Sequence, residues 1–289
     1  MKKLMLYLFL LLLLGCGGEE PGLRTDTSLP PLKVVFNPES RDLEFAAEIS
    51  STSQFSGMVM ESFLTFDWKV SHWKESDSLR TAKVRFSKVK AMQRSGAATG
   101  YEPIKAFSRL EGFSAIYSFD DDKGMEILNK PNKDPEFMQV FSQLQMGLVP
   151  MEALTLEEAL PYGEAVELPI KARDMLPEDS AKMADKVQMT VTWTGMQDFR
   201  GHPCARLKFK GFIELDEQAK SGEVSSQTRG KIRISGEGLY SREHRFFLRS
   251  QTKLDINLSM QDFDARGKAL GGEKSMEQSV TAASSLKKL

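Results

Sequence analysis

Apolar residues recur at every second position in several long runs, and that period constrains the fold more than any other feature. Between residues 58 and 71, Met58, Met60, Leu64, Phe66, Trp68 and Val70 share one parity, while Glu61, Thr65, Asp67, Lys69 and Ser71 share the other. Successive side chains of a strand point to opposite faces, so the run predicts a long, half-buried strand. Val187, Met189, Val191 and Trp193 alternate in the same way with Gln188, Thr190, Thr192 and Thr194. After a turn at residues 198–201, Ala205, Leu207, Phe209, Ile213 and Leu215 continue the pattern, and Phe246, Leu248, Leu254, Ile256, Leu258 and Met260 repeat it later. Long strands joined by short turns make antiparallel meanders rather than βαβ units.

Several local departures carry information. Ala82, Val84 and Phe86 share one parity and Val89 and Ala91 the other, so a β-bulge is expected near Ser87 and Lys88. Residues 113–119 and 125–128 read as strands about a turn at 120–124. Gly236 and Gly238 interrupt a strand-like stretch with no helix after it, which points to a kink or bulge rather than a phosphate loop. Residues 217–226 are polar and read as a loop, and the polar run 273–281 reads as a weak edge strand.

The middle of the chain changes period. Asn132 suits a helix cap, Pro135 a first turn, and Phe137, Val140, Phe141, Leu144 and Leu148 form one apolar stripe that Pro150 ends. Shorter helices are expected at 156–160 and 174–184. The fold class expected is mainly β (α+β): a curved antiparallel sheet or open barrel of long meander strands, with a central helical segment covering the concave face. A sheet with one apolar face needs such a cover, or closure, or a second sheet. The globular body would span 32–285 with a helical insertion at about 132–184. Its β halves, 32–130 and 185–282, make either one sheet or two domains.

The first sixteen residues read as an address. Lys2 and Lys3 precede the apolar run 4–14, then come Gly15 and Cys16. A basic start, a short apolar stretch and a small residue before the cut make a secretory signal peptide, and the run is too short to span a bilayer. The end of the run, Leu13-Leu14-Gly15-Cys16, resembles the lipobox of bacterial lipoproteins, with Leu14 where Ala or Ser is more usual. That resemblance implies cleavage before Cys16 and a lipid on its sulfur. Polar residues follow at once, which favours this over an ordinary cysteine beside a conventional cut, or over a retained anchor. Residues 16–31 would then be a lipidated cysteine and a flexible tether, reaching roughly 20 Å as a coil. Gly17, rather than Asp, in the second mature position leans toward the outer membrane, facing the periplasm.

The body looks like the open-barrel fold of the periplasmic lipoprotein carriers LolA and LolB and their relatives, in layout rather than in any residue motif. The resemblance implies a concave apolar face that holds acyl chains, lined here by Met58, Met60, Phe66, Trp68, Val191 and Trp193. The plainer reading makes the same six residues core beneath the helices.

Chemistry that would mark an enzyme is not legible. The net charge of −1 becomes −3 once Lys2 and Lys3 leave with the leader, and no basic stripe exists, so nucleic acid is not an expected partner. With Cys16 carrying lipid, Cys204 is left without a disulfide partner, and it reads as a small strand residue on the face of Arg206, Lys208 and Lys210. His72, His202 and His244 show no metal-ligand spacing, and His202 and His244 read as solvated turn residues. The acidic cluster 120–124 has Gly at the fifth place and lacks the Glu of an EF-hand at the twelfth. No nucleophile elbow or P-loop occurs. The expectation is a non-enzymatic envelope lipoprotein without cofactor or metal, held to the membrane by its lipid. It would bind a hydrophobic ligand, or else serve as a structural or assembly subunit of an envelope complex.

Overall fold

The computed structural model describes residues 30–34, 42–55, 57–74, 79–96, 98–120, 124–127, 156, 158–168, 184–221 and 224–288. Twelve strands follow one another among them: β1 (Asp42–Phe55), β2 (Met58–Lys74), β3 (Leu79–Ser95), β4 (Glu102–Pro103), β5 (Ser114–Asp120), β6 (Gly124–Ile127), β7 (Ala165–Glu167), β8 (Ala184–Phe199), β9 (His202–Ser221), β10 (Val224–Ser241), β11 (Phe246–Phe263) and β12 (Lys274–Lys288). One short 3-10 helix, Lys105–Leu110, joins β4 to β5. The strands form a single antiparallel sheet in the order β6-β5-β3-β2-β1-β12-β11-β10-β9-β8-β7, with β4 also on β3. The sheet is curved and does not close. It is the curved meander sheet that the alternation predicts, and β1 against β12 makes the two β halves continuous.

Alternation explains the core. Leu43, Phe45, Ala47 and Ile49 of β1 face the same way as Leu64, Phe66, Trp68 and Val70 of β2, and all are buried. Leu207, Phe209 and Ile213 of β9, Ile232 and Ile234 of β10, and Leu254, Ile256 and Leu258 of β11 extend that inner face. Phe45 stacks on Trp68 at 4.5 Å and meets Phe246 edge-on at 6.4 Å, so aromatic contact spans β2, β1 and β11.

Two devices bend the sheet. The expected bulge is present: Thr65 pairs with Lys90 but Asp67 with Ser87, and Lys88 takes a φ of +55°. The Val89 N–H that it releases donates to the Glu111 carboxylate at 2.8 Å. The second device is glycine on the inner face. A Cβ on Gly211 would lie 2.9 Å from Met189 Cα, one on Gly230 2.8 Å from Leu258 Cα, and one on Gly236 3.1 Å from Thr252 Cα, with a neighbouring carbonyl nearer still each time. These glycines admit close approach of adjacent strands where the sheet curls. Gly236 therefore marks a bend within unbroken register, and the nearby bulge falls at Leu239 and Tyr240. Arg200, in the β8–β9 turn, reaches across to the Leu286 and Lys287 carbonyls at the end of β12.

Three expectations need correction. Leu156 and Leu160 are not helical; their N–H groups donate to the Val34 and Leu32 carbonyls, and they lie extended on the core. Their four-residue spacing suits a helix, but backbone pairing with 32–34 decides otherwise. Residues 217–221 and 224–226 are not loop but strand, held by pairs such as Glu217 with Thr228. And β12 is no edge: it lies between β1 and β11, while β6 and β7 are the edges. Its inner face uses small and polar residues, with Gln278 Nε2 donating to Ser51 Oγ at 2.9 Å, which is why it looks exposed in sequence. The helices expected at 132–148 and 174–184 lie outside the described residues, apart from Ala184, which starts β8. Among those described, no helix is long and apolar enough to cross a membrane.

Candidate functional site

The inner face of the sheet is the candidate site, and its lining residues come to it by register. Phe66 and Trp68 on β2 and Val191 and Trp193 on β8 are all buried there. Met58 and Met60 share the parity of Phe66, but they lie where the strand leaves the core: Met58 is 62% exposed beside the β1–β2 turn, and Met60 is half-buried. The structure thus places four of the six residues in the interior and two toward one rim.

The two tryptophans differ in a way that sequence does not show. Trp193 is fully covered. Its Nε1 donates to the Gly195 carbonyl at 2.9 Å, and Tyr162 packs on it edge-on at 5.3 Å. Gly163 N–H donates to the Trp193 carbonyl, and Leu168 N–H to that of Met189, so residues 158–168 strap this end of the sheet. Leu32, Val34, Leu156 and Leu160 bury their side chains in the same core. Trp68 is nearly as deeply buried, yet its Nε1 has no hydrogen-bond partner among the described residues. The Oε1 of Gln278, also on the inner face, is likewise without one. A buried polar atom left unpaired costs about 1–3 kcal/mol, so these atoms call for a partner from water, a ligand or the rest of the chain.

Two groups lie away from this face. Cys204 is fully buried, and its thiol donates to the His202 carbonyl at 3.4 Å. Burial, with a smaller contribution from the negative charge of Asp198, pushes its pKa up to about 12, so it carries essentially no thiolate near neutrality. Beside it, the structure brings together two of the three histidines, 42 residues apart in sequence: His244 Nε2 lies 3.2 Å from His202 Nδ1. Glu243 Oε2 is 3.9 Å from His202 Nδ1 and 3.7 Å from His244 Nε2. His202 is partly buried and His244 nearly wholly so at its side chain, not solvated as the turn positions suggest. Spacing along the chain carries no trace of this pair. The signal is the register: Cys204 pairs with Ser241, the last residue of β10, which brings the start of β9 against the β10–β11 turn.

No family model and no curated protein matches the chain. Among solved structures, lipovitellin, described for its lipid–protein interactions, is similar at 11% identity and a TM-score of 0.49 over 88% of this chain. The chain spans only 26% of that lipovitellin chain. A DUF1329 family protein from Desulfovibrio piger aligns over 85% of this chain and 86% of its own, at 8% identity and a TM-score of 0.16. Neither likeness says what this chain binds.

Proposed function

We propose that the chain is a lipid-anchored bacterial envelope protein whose curved sheet binds an acyl-bearing lipid or a similar hydrophobic molecule. One observation carries the binding reading: an unclosed sheet buries a continuous apolar face on which the Trp68 indole N–H and the Gln278 carbonyl oxygen stand without partners among the described residues. A ligand with an apolar body and a few polar atoms suits such a surface, where apolar contact supplies affinity and few polar groups fix orientation. The anchoring half rests on the leader. Lys2, Lys3, the run 4–14 and Cys16 supply a signal sequence and an acyl acceptor, and several acyl chains give stable attachment where one does not. The outer membrane, with the body in the periplasm, is the location this reading assigns.

The test is to purify the protein without residues 1–16, extract it with organic solvent and analyse the extract by mass spectrometry. A stoichiometric lipid supports the reading. An empty extract, together with no uptake of a fluorescent fatty acid, overturns it.

A second reading, a subunit of an envelope complex, is favoured by a different observation. Met58, Val59, Tyr101, Val224 and Leu270 are exposed, and all lie in or beside connections at one end of the sheet. Serine at Met58, Val59 and Leu270 would then abolish co-purification of a partner while leaving lipid content unchanged.

A further inference from the structure

We propose that His202, His244 and Glu243 form a binding site for one divalent transition-metal ion of the zinc class. It lies at the end of the sheet opposite the β1–β2 turn, where His244 adjoins Phe246, and it does not depend on what the inner face holds. The three donors are a product of two turns. Arg200 and Gly201, with φ of +54° and +85°, form the two-residue β8–β9 turn and start β9 at His202. The β10–β11 turn, closed by the Arg245 N–H to Ser241 carbonyl bond, carries Glu243 and His244 over it. His244 N–H donates to Ser241 Oγ at 3.2 Å, fixing the backbone behind its ring.

The geometry suits a tetrahedral ion. Metal–nitrogen bonds of about 2.0–2.1 Å set two ligand nitrogens roughly 3.3–3.4 Å apart. The observed separation of His202 Nδ1 and His244 Nε2 is 3.2 Å. The rings meet at 69° with centroids 5.0 Å apart, so they do not stack and the two nitrogens meet directly. Glu243 Oε2 stands 3.7 and 3.9 Å from them, and all three ligand atoms lie within 4.8 Å of one another. The carboxylate needs to close by only about 0.5 Å to take a third vertex. Glu243 is 67% exposed and has room to do so, while His244, at 6%, is the fixed member.

Proton accounting allows the exchange. Two imidazole nitrogens in hydrogen-bond contact share one proton, so at least one already presents a lone pair. For both nitrogens to present lone pairs, the proton between them moves to another ring nitrogen or leaves to solvent as the metal binds. Two imidazoles and a carboxylate suit zinc, cobalt, nickel or copper(II), whereas calcium and magnesium favour all-oxygen sites and copper(I) favours sulfur. Three protein donors leave a fourth position for water or for a donor from another molecule. Cys204, whose thiol donates to the His202 carbonyl, is not a ligand in this arrangement.

The experiment uses the full chain in detergent, without a polyhistidine tag, titrated with Co2+ and then Zn2+. One equivalent of Co2+ should bind with the visible absorption of a tetrahedral or five-coordinate ion, without a thiolate charge-transfer band, and Zn2+ should displace it. Zn2+ should also raise the unfolding midpoint, since an ion that binds only the folded chain stabilises it. His202→Ala should weaken Zn2+ binding by more than about tenfold, the lower end of what loss of even an outer-sphere partner costs. Glu243→Gln should weaken it as well. Both positions reach solvent, so circular dichroism should show both variants folded. Cys204→Ser should bind as the parent does. Absence of binding in the parent, an intense thiolate band, or affinity unchanged in either ligand variant would overturn the site.

Discussion

Replacing Gly230 with alanine tests the curl of the sheet directly. The added Cβ would sit 2.8 Å from Leu258 Cα and 2.5 Å from Leu258 Cδ2, and nearer still to the Asn257 carbonyl oxygen. The side chain can rotate away, but the backbone cannot. Strand β11 is held on one side by β10 and on the other by β12, through pairs such as Leu258 with Met276. Relief therefore requires moving a strand at the centre of the sheet. Forcing a methyl into a packed interior costs about 1–3 kcal/mol, and the opposing gain from alanine's lower chain entropy is about 0.5–1 kcal/mol. The expected net loss is ~1–2 kcal/mol, or about 2–8 °C in midpoint for a body of this size. Gly100→Ala is the control, because nothing lies within 4 Å of its added Cβ. Thermal unfolding of the parent and both variants, followed by circular dichroism under identical conditions, reads the difference. Equal midpoints for the two variants would refute the close approach of β10 and β11 and, with it, this account of the curvature.

Other expectations concern single groups. Burial pushes the Asp67 pKa up, but hydrogen bonds from Lys287 at 2.5 Å and Lys88 at 2.8 Å outweigh it and hold the carboxyl below its ordinary value. Its contribution to stability is therefore complete above the ordinary aspartate range and is lost as pH falls through the lowered value. Midpoints measured from pH 6 to pH 2 should show a shallower acid loss in Asp67→Asn, and a parallel curve would count against the two lysine contacts. Cys204, raised to about 12, should resist a thiol reagent at pH 8 and react only as the protein unfolds, so prompt labelling of the native chain would contradict its burial. Trp68→Phe removes an unpaired N–H but also leaves a cavity beside Phe45, so the empty protein should lose about 1–2 kcal/mol and stay folded while affinity for a bound fatty acid falls several-fold. Unchanged affinity would remove Trp68 from the site. Cys16→Ser should shift the protein out of the detergent phase, and unchanged partitioning would contradict lipid attachment.

The legible part of this fold is the part written in period two. The inward faces of β2, β8, β9 and β11 follow from alternation, because each strand buries one face and register is fixed by that burial. The bulge at Lys88 is legible for the same reason, since one extra residue inverts parity and leaves a visible step between Phe86 and Val89. What alternation does not encode is the neighbour of each strand. β12 has no local signal of centrality. Its inner residues include Gln278 and Ser284, and it joins β1 across pairs such as Thr52 with Ser279. A polar inner face resembles an outer one until the facing Ser51 hydroxyl is known.

The same limit hid the histidines, and it shows what kind of information a site of this sort needs. His202 follows a turn that is readable from Arg200-Gly201, and His244 lies in the next turn at that end of the sheet, so each position alone is foreseeable. Their meeting requires the β9–β10 register to one residue. A slip by one would carry His202 along β9 relative to the β10–β11 turn and turn its imidazole to the other face. That register is set far from the turns, by Leu207, Phe209 and Ile213 facing the core with Ile232 and Ile234. The apolar interior therefore determines the polar cluster at its end. A substitution that shifts β9 against β10 should abolish metal binding without touching a ligand, whereas a change confined to the outer face of β9, such as Lys208→Gln, should leave it intact.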